Sequence, residues 1–466
     1  MGFNKHEITT DITKQISRYI VETKYEDIPP AVIERAKNLL LHTLGVSLAA
    51  LELLQGKDAV ALAKELSSGS DKGCATLWGS GIKVSWEAAA LLGGTLGDML
   101  DWEDCSWTGH PSAGVIPSAV VAAEVLHKSG KDLLTAIVVA YEVYQRIAMA
   151  ARANINGLNI FASVVAIAKL HDLNEKQVNQ ALGLAAACAA VPANIHEATM
   201  SDSLNYLYGL KTESAVTIVK NVLLGIENME DTFDDTTSYA DHFDKKSYAP
   251  EWFTKEFGTD YVLMDIMVKH WPANMYVQTY AELASVLQKK YRIDPDEIES
   301  ITLSPAVEFR FYRTDKPYDS LTQAQFNTPY VVAALLYHPE RGAVWYKKET
   351  LHDPRIYELM NRIHADGFCD EEGRRPLHAM PHLKQLIRGY HPEKTMTIRL
   401  KDGKQYSESL FSQPGHPSYM FTREEFQDNF RLETKYVLDP AKQEKIISLV
   451  KDLDKEKDAA SLAELL

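Results

Sequence analysis

The sequence predicts a two-domain protein with a large all-α helical domain and a smaller α+β domain. Three observations lead to this prediction. The chain has 466 residues, more than one hydrophobic core normally supports. Residues 1–265 carry apolar side chains at helical spacing almost throughout. From residue 266 onward, short alternating segments are mixed with helical ones, which is typical of an α+β region.

The first half of the helical domain is predicted from five segments. TDITKQISRYIVETKYEDIP and PAVIERAKNLLLHTLGVSLAALE read as amphipathic helices, the second starting at Pro30. GKDAVALAKELSSG is a further helix, and CATLWGSGIKV is a short extended piece. SWEAAALLGGTLGDML returns to helix, and its Ala and Gly residues suit close helix packing.

The second half of the helical domain begins after residue 110. IPSAVVAAEVLHKSG is predicted to start near Pro117 and to end before Gly130. KDLLTAIVVAYEVYQRIAMAARA follows, and its apolar run is too short and interrupted to span a bilayer. Asn174 is a predicted N-cap of the helix in NEKQVNQALGLAAACAAV.

The remaining segments define the domain boundaries. DEIESITLS alternates as a strand, and KTMTIRLKDGKQYSESL is a hairpin with Asp402-Gly403 at its turn. QAQFNTPYVVAALLYH and PRIYELMNRIH are helices between them. We therefore expect an all-helical domain at 1–265, an α+β domain at 266–410, and a helical segment at 411–466 that returns to the first domain.

The bulk composition excludes several classes of partner. The formal net charge is −15, with 64 acidic against 49 basic residues, which argues against nucleic acid or an anionic membrane surface. The four cysteines are scattered and predict neither a zinc site nor a disulfide framework. The polar N-terminus does not resemble a signal peptide, so a cytoplasmic protein is expected.

The segment GDMLDWEDCSWTGHPSAG, residues 97–114, points to chemistry rather than to a simple turn. It places four acids, a thiol and a histidine between two predicted helices, whereas an ordinary connection needs Gly, Pro, Asn or Ser. Histidine suits both acid and base roles because its unperturbed pKa of about 6.5 lies near neutrality.

Several blocks of the sequence together resemble the MmgE/PrpD family, which includes 2-methylcitrate dehydratase, cis-aconitate decarboxylase and iminodisuccinate epimerase. The blocks are ERAKNLLLHTLGVSLAA, the stretch from AALLGGTLGDMLDWEDC to YEVYQRI, VKHWPAN, QAQFNTPYVVAALL and SQPGHP. The resemblance implies that the α+β domain is a lid, that the active site lies in the cleft below it, and that the protein is a homodimer. It also implies a small carboxylate substrate and neither metal nor organic cofactor.

The resemblance also implies a set of site residues. Asp101, His110 and Lys269 are the expected catalytic residues, and Asp104, Cys105, Asn274 and Tyr330 the expected substrate-binding ones.

Each role has an alternative. His110 could instead cap the following helix, Asp101 could form a structural ion pair, and Asp104 could belong to the scaffold. Cys105 replaces the common Thr of the family and could simply line the pocket, while Tyr330 could be an interface residue.

The sequence departs from the family pattern at cationic positions. Leu204 stands where the dehydratase and decarboxylase branches carry Lys, and Asn274 stands where the decarboxylases carry His. Fewer cations imply a substrate with fewer carboxylates, unless arginines supply the charge. The available arginines are Arg146, Arg152, Arg310 and Arg313.

Three functions are compatible with these residues. The first is a cofactor-free lyase, either a dehydratase or a decarboxylase, that acts on a small carboxylic acid. The second is an epimerase or isomerase of a small dicarboxylate, in which His110 and either Lys269 or Tyr330 exchange protons on opposite faces of one carbon. The third is a non-catalytic member that binds a metabolite.

Overall fold

The computed structural model describes residues 8, 10–68, 73–106, 109–151, 155–189, 201–234, 239, 248–304, 316–365 and 393–466. Most of the first 223 residues form helices, as predicted. They are α1 (Ile12–Glu22), α2 (Pro30–Ala49), α3 (Leu54–Leu66), α4 (Trp86–Met99), α5 (Pro111–Val125), α6 (Gly130–Ala151), α7 (Ile155–Leu170), α8 (Glu175–Cys188) and α9 (Ser203–Leu223). The predicted extended piece is a two-stranded antiparallel ladder of β1 (Ala75–Thr76) and β2 (Lys83–Val84).

Local sequence signals set several of these boundaries. Pro30 is the first residue of α2, where the missing N–H costs nothing. The side chain of Asn174 accepts a hydrogen bond from the backbone N–H of Gln177, which confirms the predicted N-cap of α8. Small residues let α4 and α9 pack closely, because a Cβ on Gly94 would lie 2.6 Å from Oγ1 of Thr212.

The predicted start of α5 near Pro117 is wrong, and Gly130 does not directly follow the end of that helix, which lies at Val125. Helix α5 begins at Pro111, so Pro117 lies inside the helix and packs against Gly93 of α4. Gly130 begins α6 instead of ending the preceding helix. A Cβ there would lie 1.7 Å from the carbonyl oxygen of Leu453, so Gly130 serves the close approach of the C-terminal segment.

Helix α6 has 22 residues, so the apolar run that is predicted to be too short for a bilayer belongs to a helix that is long enough by length and composition. Among the described residues, Gly130–Ala151 is the one continuous helix long and apolar enough to cross a membrane, and a second candidate is a pair of helices bent by 98°. The whole apolar window of α6 is buried by neighbouring helices. This burial is what a core helix of a folded domain shows.

The region after residue 266 contains a mixed four-stranded sheet. Its strand order is β6–β5–β7–β8, with β5 parallel to β6 and the other pairs antiparallel. The strands are β5 (Ile298–Ser304), β6 (Ile363–Ala365), β7 (Lys394–Leu400) and β8 (Gln405–Leu410), and a separate short strand, β4 (Met267–Val268), precedes them. The hairpin turn at Asp402-Gly403 is confirmed, with Gly403 at φ 85°.

Helices accompany this sheet and close the chain. They are α10 (Gln278–Tyr291), α11 (Leu321–Gln325), α12 (Thr328–Tyr337), α13 (Lys348–Leu351), α14 (Pro354–Met360), α15 (Arg423–Thr434), α16 (Pro440–Lys451) and α17 (Ala460–Ala463). The predicted helix PRIYELMNRIH is wrong at its end, because Ile363 pairs with Ile301 as a strand residue. Helix α15 packs against α2 of the helical region.

Candidate active site

The acid-rich loop between α4 and α5 is held against the segment that follows residue 266. Its strand β3 (Asp104–Cys105) pairs antiparallel with β4, so that Asp104 lies opposite Val268 and Cys105 opposite Met267. This ladder brings Lys269, the next residue after β4, beside the loop. Two sequence blocks about 160 residues apart therefore meet at one place.

Lys269 forms the centre of a buried ionic cluster. Its Nζ makes an ion pair with Asp101 and lies 2.7 Å from Oε1 of Glu103, and the Lys269 side chain is fully buried. Burial alone lowers the pKa of Lys269, but the charges of Asp101 and Glu103 outweigh it and raise that pKa. The predicted residues Asp101 and Lys269 are thus brought together as an ion pair.

His110 is oriented by Glu103. Nδ1 of His110 is hydrogen-bonded to Oε1 of Glu103, and Nζ of Lys269 lies 3.4 Å from the same nitrogen. An ammonium can only donate, so Nδ1 cannot serve both partners. The closer Glu103 contact favours an Nδ1–H group that donates to the carboxylate, which leaves the lone pair on Nε2 when the ring is neutral.

The other ring nitrogen of His110 is available for chemistry. Among the described residues, Nε2 of His110 has no hydrogen-bond partner, and the side chain is 16% exposed. His110 precedes α5 but makes no side-chain cap bond, so the capping alternative is wrong. Its backbone carbonyl accepts from Asn159 at 2.9 Å, and the edge of Tyr208 packs on its ring.

Asp98, at the end of α4, adds a third carboxyl group to the cluster. Its Oδ1 lies 3.8 Å from Nδ1 of His110. Burial, then the nearby Glu103 and Asp101 charges, raise the pKa of Asp98 well above its usual range. Glu103 behaves oppositely: burial raises its pKa, but Lys269 and His110 outweigh this and lower it to about 2. A protonated Asp98 beside an ionised Glu103 avoids three adjacent negative charges.

Three of these groups could in principle approach a metal ion. One ligand atom each from Asp98, Glu103 and His110 lie within 4.8 Å of one another. However, Glu103 Oε1 already accepts from Lys269, and the ammonium lies beside His110 Nδ1. A cation at this point would have to displace another cation, so these residues fit a metal poorly.

Asp104 and Cys105 have structural surroundings. Oδ1 of Asp104 accepts from the backbone N–H of Ser112 at 3.0 Å, and Oδ2 accepts from the Tyr141 hydroxyl at 2.6 Å. Asp104 thus caps the first turn of α5. Burial raises the pKa of the Cys105 thiol, which disfavours the thiolate. The scaffold and pocket-lining alternatives suit these two residues better than substrate contact.

Tyr330 and Asn274 lie apart from the ionic cluster's hydrogen bonds. The Tyr330 hydroxyl donates to the carbonyl of Trp345 at 2.5 Å and is fully buried. Oδ1 of Asn274 accepts from the backbone N–H of Tyr276 at 3.2 Å, in a local turn. The Tyr330 hydroxyl and Oδ1 of Asn274 therefore make these hydrogen bonds outside the ionic cluster.

Of the four arginines expected as sources of positive charge, only Arg146 lies among the described residues. Arg146 is buried, pairs with Glu142 and donates to the carbonyls of Lys255 and Asp260, which makes it structural. Arg152, Arg310 and Arg313 lie outside the described residues. Leu204 is buried near the start of α9, so this position brings an apolar side chain and no charge.

Sequence reasoning missed Glu103 and Asp98 as members of the site. Both lie in the acid-rich segment and inside a block that resembles the family, but the resemblance implied no role for either residue. The density of acids in that segment was the available signal. The partner of each acid could not be known without the fold.

Comparison with known proteins assigns the chain to a family. Residues 14–251 match the MmgE/PrpD N-terminal domain, and residues 271–455 match the MmgE/PrpD C-terminal domain. The chain belongs to the MmgE/PrpD family. Strand β3 lies within the first matched range, and β4 lies in the short interval between the two ranges.

Three relatives align over nearly the whole chain. The human and mouse cis-aconitate decarboxylases are each 23% identical to this chain over 98% of its length, covering 94% and 93% of their own. The cis-aconitate decarboxylase-like protein oryM of Aspergillus oryzae is 22% identical over 98% of this chain and 97% of its own. Family membership and these relatives support a lyase-type enzyme.

Proposed function

We propose that this chain is a cofactor-free lyase, of dehydratase or decarboxylase type, that acts on a small carboxylic acid in the cleft between the helical domain and the lid. The observation that carries the proposal is the Glu103–His110 pair, in which Nδ1 is bound by a carboxylate and Nε2 is left without a partner among the described residues. An imidazole fixed on one side by a carboxylate is poised for proton transfer on the other.

The proton chemistry follows from this arrangement. In a dehydration, neutral His110 takes a proton from the carbon next to a carboxylate, and the C–H electron pair forms a carbon–carbon double bond as the C–O bond on the neighbouring carbon breaks. The His110 imidazolium then gives that proton to the departing hydroxide, which leaves as water. In a decarboxylation, the bond to the carboxylate carbon breaks, its electron pair stays on the carbon that is retained, and carbon dioxide leaves. Protonated His110 then gives its Nε2 proton to the retained carbon. Glu103 stabilises the imidazolium in both cases, and protonated Asp98 is a nearby proton store.

The local charge limits the substrate. Asp101, Glu103 and Lys269 together carry one net negative charge when both carboxylates are ionised, and Leu204 and Asn274 add no cation. A tricarboxylate would meet repulsion here, so a substrate with fewer carboxylates fits better. Lys269 acts by offsetting Asp101 and Glu103, since its buried ammonium is already paired.

The same contacts weaken the epimerase alternative. That reaction needs a second proton-transfer group opposite His110, and the two residues considered for it were Lys269 and Tyr330. Lys269 is held by two carboxylates, and Tyr330 donates to a backbone carbonyl.

The test is an activity screen in deuterium oxide. Purified wild type and His110→Asn are incubated with small mono-, di- and tricarboxylates, including cis-aconitate, and followed by proton NMR. We expect loss of water or carbon dioxide from one acid in the wild type, and turnover lower by roughly 100- to 10,000-fold in His110→Asn. His352→Asn, at an exposed histidine, is the matched control and should keep wild-type turnover.

Two results would overturn the proposal. Solvent deuterium entering a recovered acid without loss of mass as water or carbon dioxide would indicate an epimerase. Specific binding of an acid, measured by thermal shift, with no chemical change would indicate a metabolite-binding protein.

A further inference from the structure

A second histidine, His42 in the middle of α2, lies behind the catalytic loop. Its Nδ1 is 3.0 Å from Oε1 of Glu433 on α15, and its Nε2 is 2.9 Å from the carbonyl oxygen of Trp102. The side chains of His42 and Glu433 are each only 1% exposed. One imidazole therefore joins helix α2, the C-terminal helix α15 and the loop.

The partners of His42 indicate its charge. A carbonyl oxygen can only accept, so Nε2 of His42 must carry a hydrogen. The remaining proton is shared between Nδ1 and Glu433, and imidazole is ordinarily the stronger base of the two. Burial alone lowers the pKa of His42, but the Glu433 charge and the two hydrogen bonds outweigh it and raise that pKa. The contacts describe a buried imidazolium–carboxylate pair.

Other charged groups around the pair are few. The negative charge of Asp104 in the loop also favours the protonated form of His42, and the positive charge of Arg341 interacts with the Glu433 carboxylate. The ring of Phe426 covers the imidazole with its edge at 6.3 Å between centroids. Gly45, one turn after His42, leaves room for the carboxylate, because a Cβ there would lie 2.0 Å from Oε2 of Glu433.

Trp102 is the residue through which His42 reaches the site. It lies between Asp101 and Glu103, the two carboxylates that hold Lys269. Asp101 adopts a positive φ of 48°, a conformation that non-glycine residues keep only where their surroundings hold them. The indole N–H of Trp102 donates to the carbonyl of His270 at 3.1 Å, so both its ring and its carbonyl are anchored.

We propose that His42 is a positioning residue that, as an imidazolium paired with Glu433, fixes the Trp102 carbonyl and thereby holds Asp101 and Glu103 in register with Lys269 and His110. The effect on turnover rests on the proposed function, but the charge of His42 and its hold on the loop do not.

The charge of His42 is tested by NMR of the full chain labelled with ¹⁵N-histidine. The His42 signals are assigned by their loss in His42→Gln. In the wild type we expect both ring nitrogens to carry hydrogen from pH 6 to pH 8. In Glu433→Gln we expect a neutral ring at pH 8, because the new amide can donate to Nδ1 while Nε2–H keeps its bond to Trp102. A neutral His42 ring in the wild type at pH 7 would overturn the imidazolium assignment.

The hold on the loop is tested by hydrogen–deuterium exchange of peptides covering residues 99–106. His42→Gln should raise their exchange at least tenfold, whereas Glu433→Gln should leave it close to wild type because its hydrogen bonds can re-form. His171→Gln is the control, since His171 is a partly buried histidine stacked on Trp86, away from the loop. Equal loop exchange in His42→Gln and His171→Gln would overturn the positioning role.

Kinetics then separate positioning from binding. With a substrate found in the screen, His42→Gln should lower kcat by about 10- to 100-fold with little change in KM. The separate variant Glu433→Gln should keep most of the wild-type kcat at pH 7. An unchanged kcat in His42→Gln would overturn the catalytic part of the proposal. If the wild type turns over no acid, the proposed function fails, while the NMR and exchange results still decide the role of His42 in the loop.

Discussion

Lys269 and Glu103, which are 166 residues apart in the chain, form an ion pair of 2.7 Å in which neither side chain is exposed. Together with Asp101, this pair joins the acid-rich loop of the helical region to the segment that begins the smaller region. The same Glu103 oxygen also orients His110. One carboxylate therefore holds Lys269 in the cluster and also orients the histidine to which we assign proton transfer.

Replacing Glu103 with Gln should reduce turnover more than it reduces stability. The amide retains the shape of Glu103 but cannot stabilise an imidazolium, so kcat should fall by roughly 100-fold or more. Steady-state kinetics with the acid identified in the screen measures this. A Glu213→Gln control, at a half-exposed position on α9, should be unchanged. A kcat equal to that of the wild type in Glu103→Gln would contradict the proposed role of the Glu103–His110 pair.

Replacing Lys269 with Met should destabilise the protein strongly. It leaves Asp101 and Glu103 buried without their counter-charge, and breaking a buried pair from one side costs about 3–5 kcal/mol. Urea unfolding at pH 7 measures the change in the free energy of unfolding. The matched control is Lys220→Met, since the exposed Lys220–Glu87 pair is worth at most about 1 kcal/mol. Similar losses in the two variants would contradict the buried-cluster interpretation.

Asp98 should give the folded state a measurable pH dependence. Its pKa is raised in the folded state, so the folded protein binds more protons than the unfolded chain above pH 3.8. Stability attributable to Asp98 therefore falls as the pH rises from about 3.8 through the raised pKa, by at most about 1.4 kcal/mol per pH unit. Asp98→Asn should be more stable than the wild type at pH 8, with this advantage shrinking toward pH 4. Urea unfolding at three pH values would show it, and a constant difference would contradict the assignment.

Replacing Tyr330 with Phe should leave turnover nearly unchanged. Its hydroxyl donates to the Trp345 carbonyl, so the variant loses one buried hydrogen bond worth about 1 kcal/mol. Thermal unfolding and kinetics on the same preparation measure the two effects. A large loss of kcat with an unchanged unfolding midpoint would show that Tyr330 contacts the substrate after all.

Much of the helical architecture could be predicted from local signals. The cap at Asn174, the start at Pro30 and the hairpin at Asp402-Gly403 each depend on residues close in sequence, and each is confirmed. The error at Gly130 has a different cause: this glycine is required by the carbonyl of Leu453, more than 300 residues away. A glycine that makes room for a distant segment looks the same in sequence as one that ends a helix.

The site was predictable in its parts but not in its pairing. Asp101, His110 and Lys269 are brought together, and their catalytic roles stay a prediction. Asp104 was assigned to the substrate, yet it caps α5, because whether a loop carboxylate turns toward a helix end or a cavity depends on the tertiary path of the loop. The ion pair between Glu433 and His42 lies beyond local reasoning for the same reason.

The bond between His42 and Glu433 spans 391 residues, which has a consequence for biosynthesis. At about 5–20 residues per second, a ribosome needs roughly 20–80 seconds to proceed from one residue to the other. During that interval the ribosome makes the acidic loop first, then Lys269, and Glu433 last. Asp101 and Glu103 therefore have no ammonium partner until Lys269 is made, and His42 has no carboxylate partner until Glu433 is made.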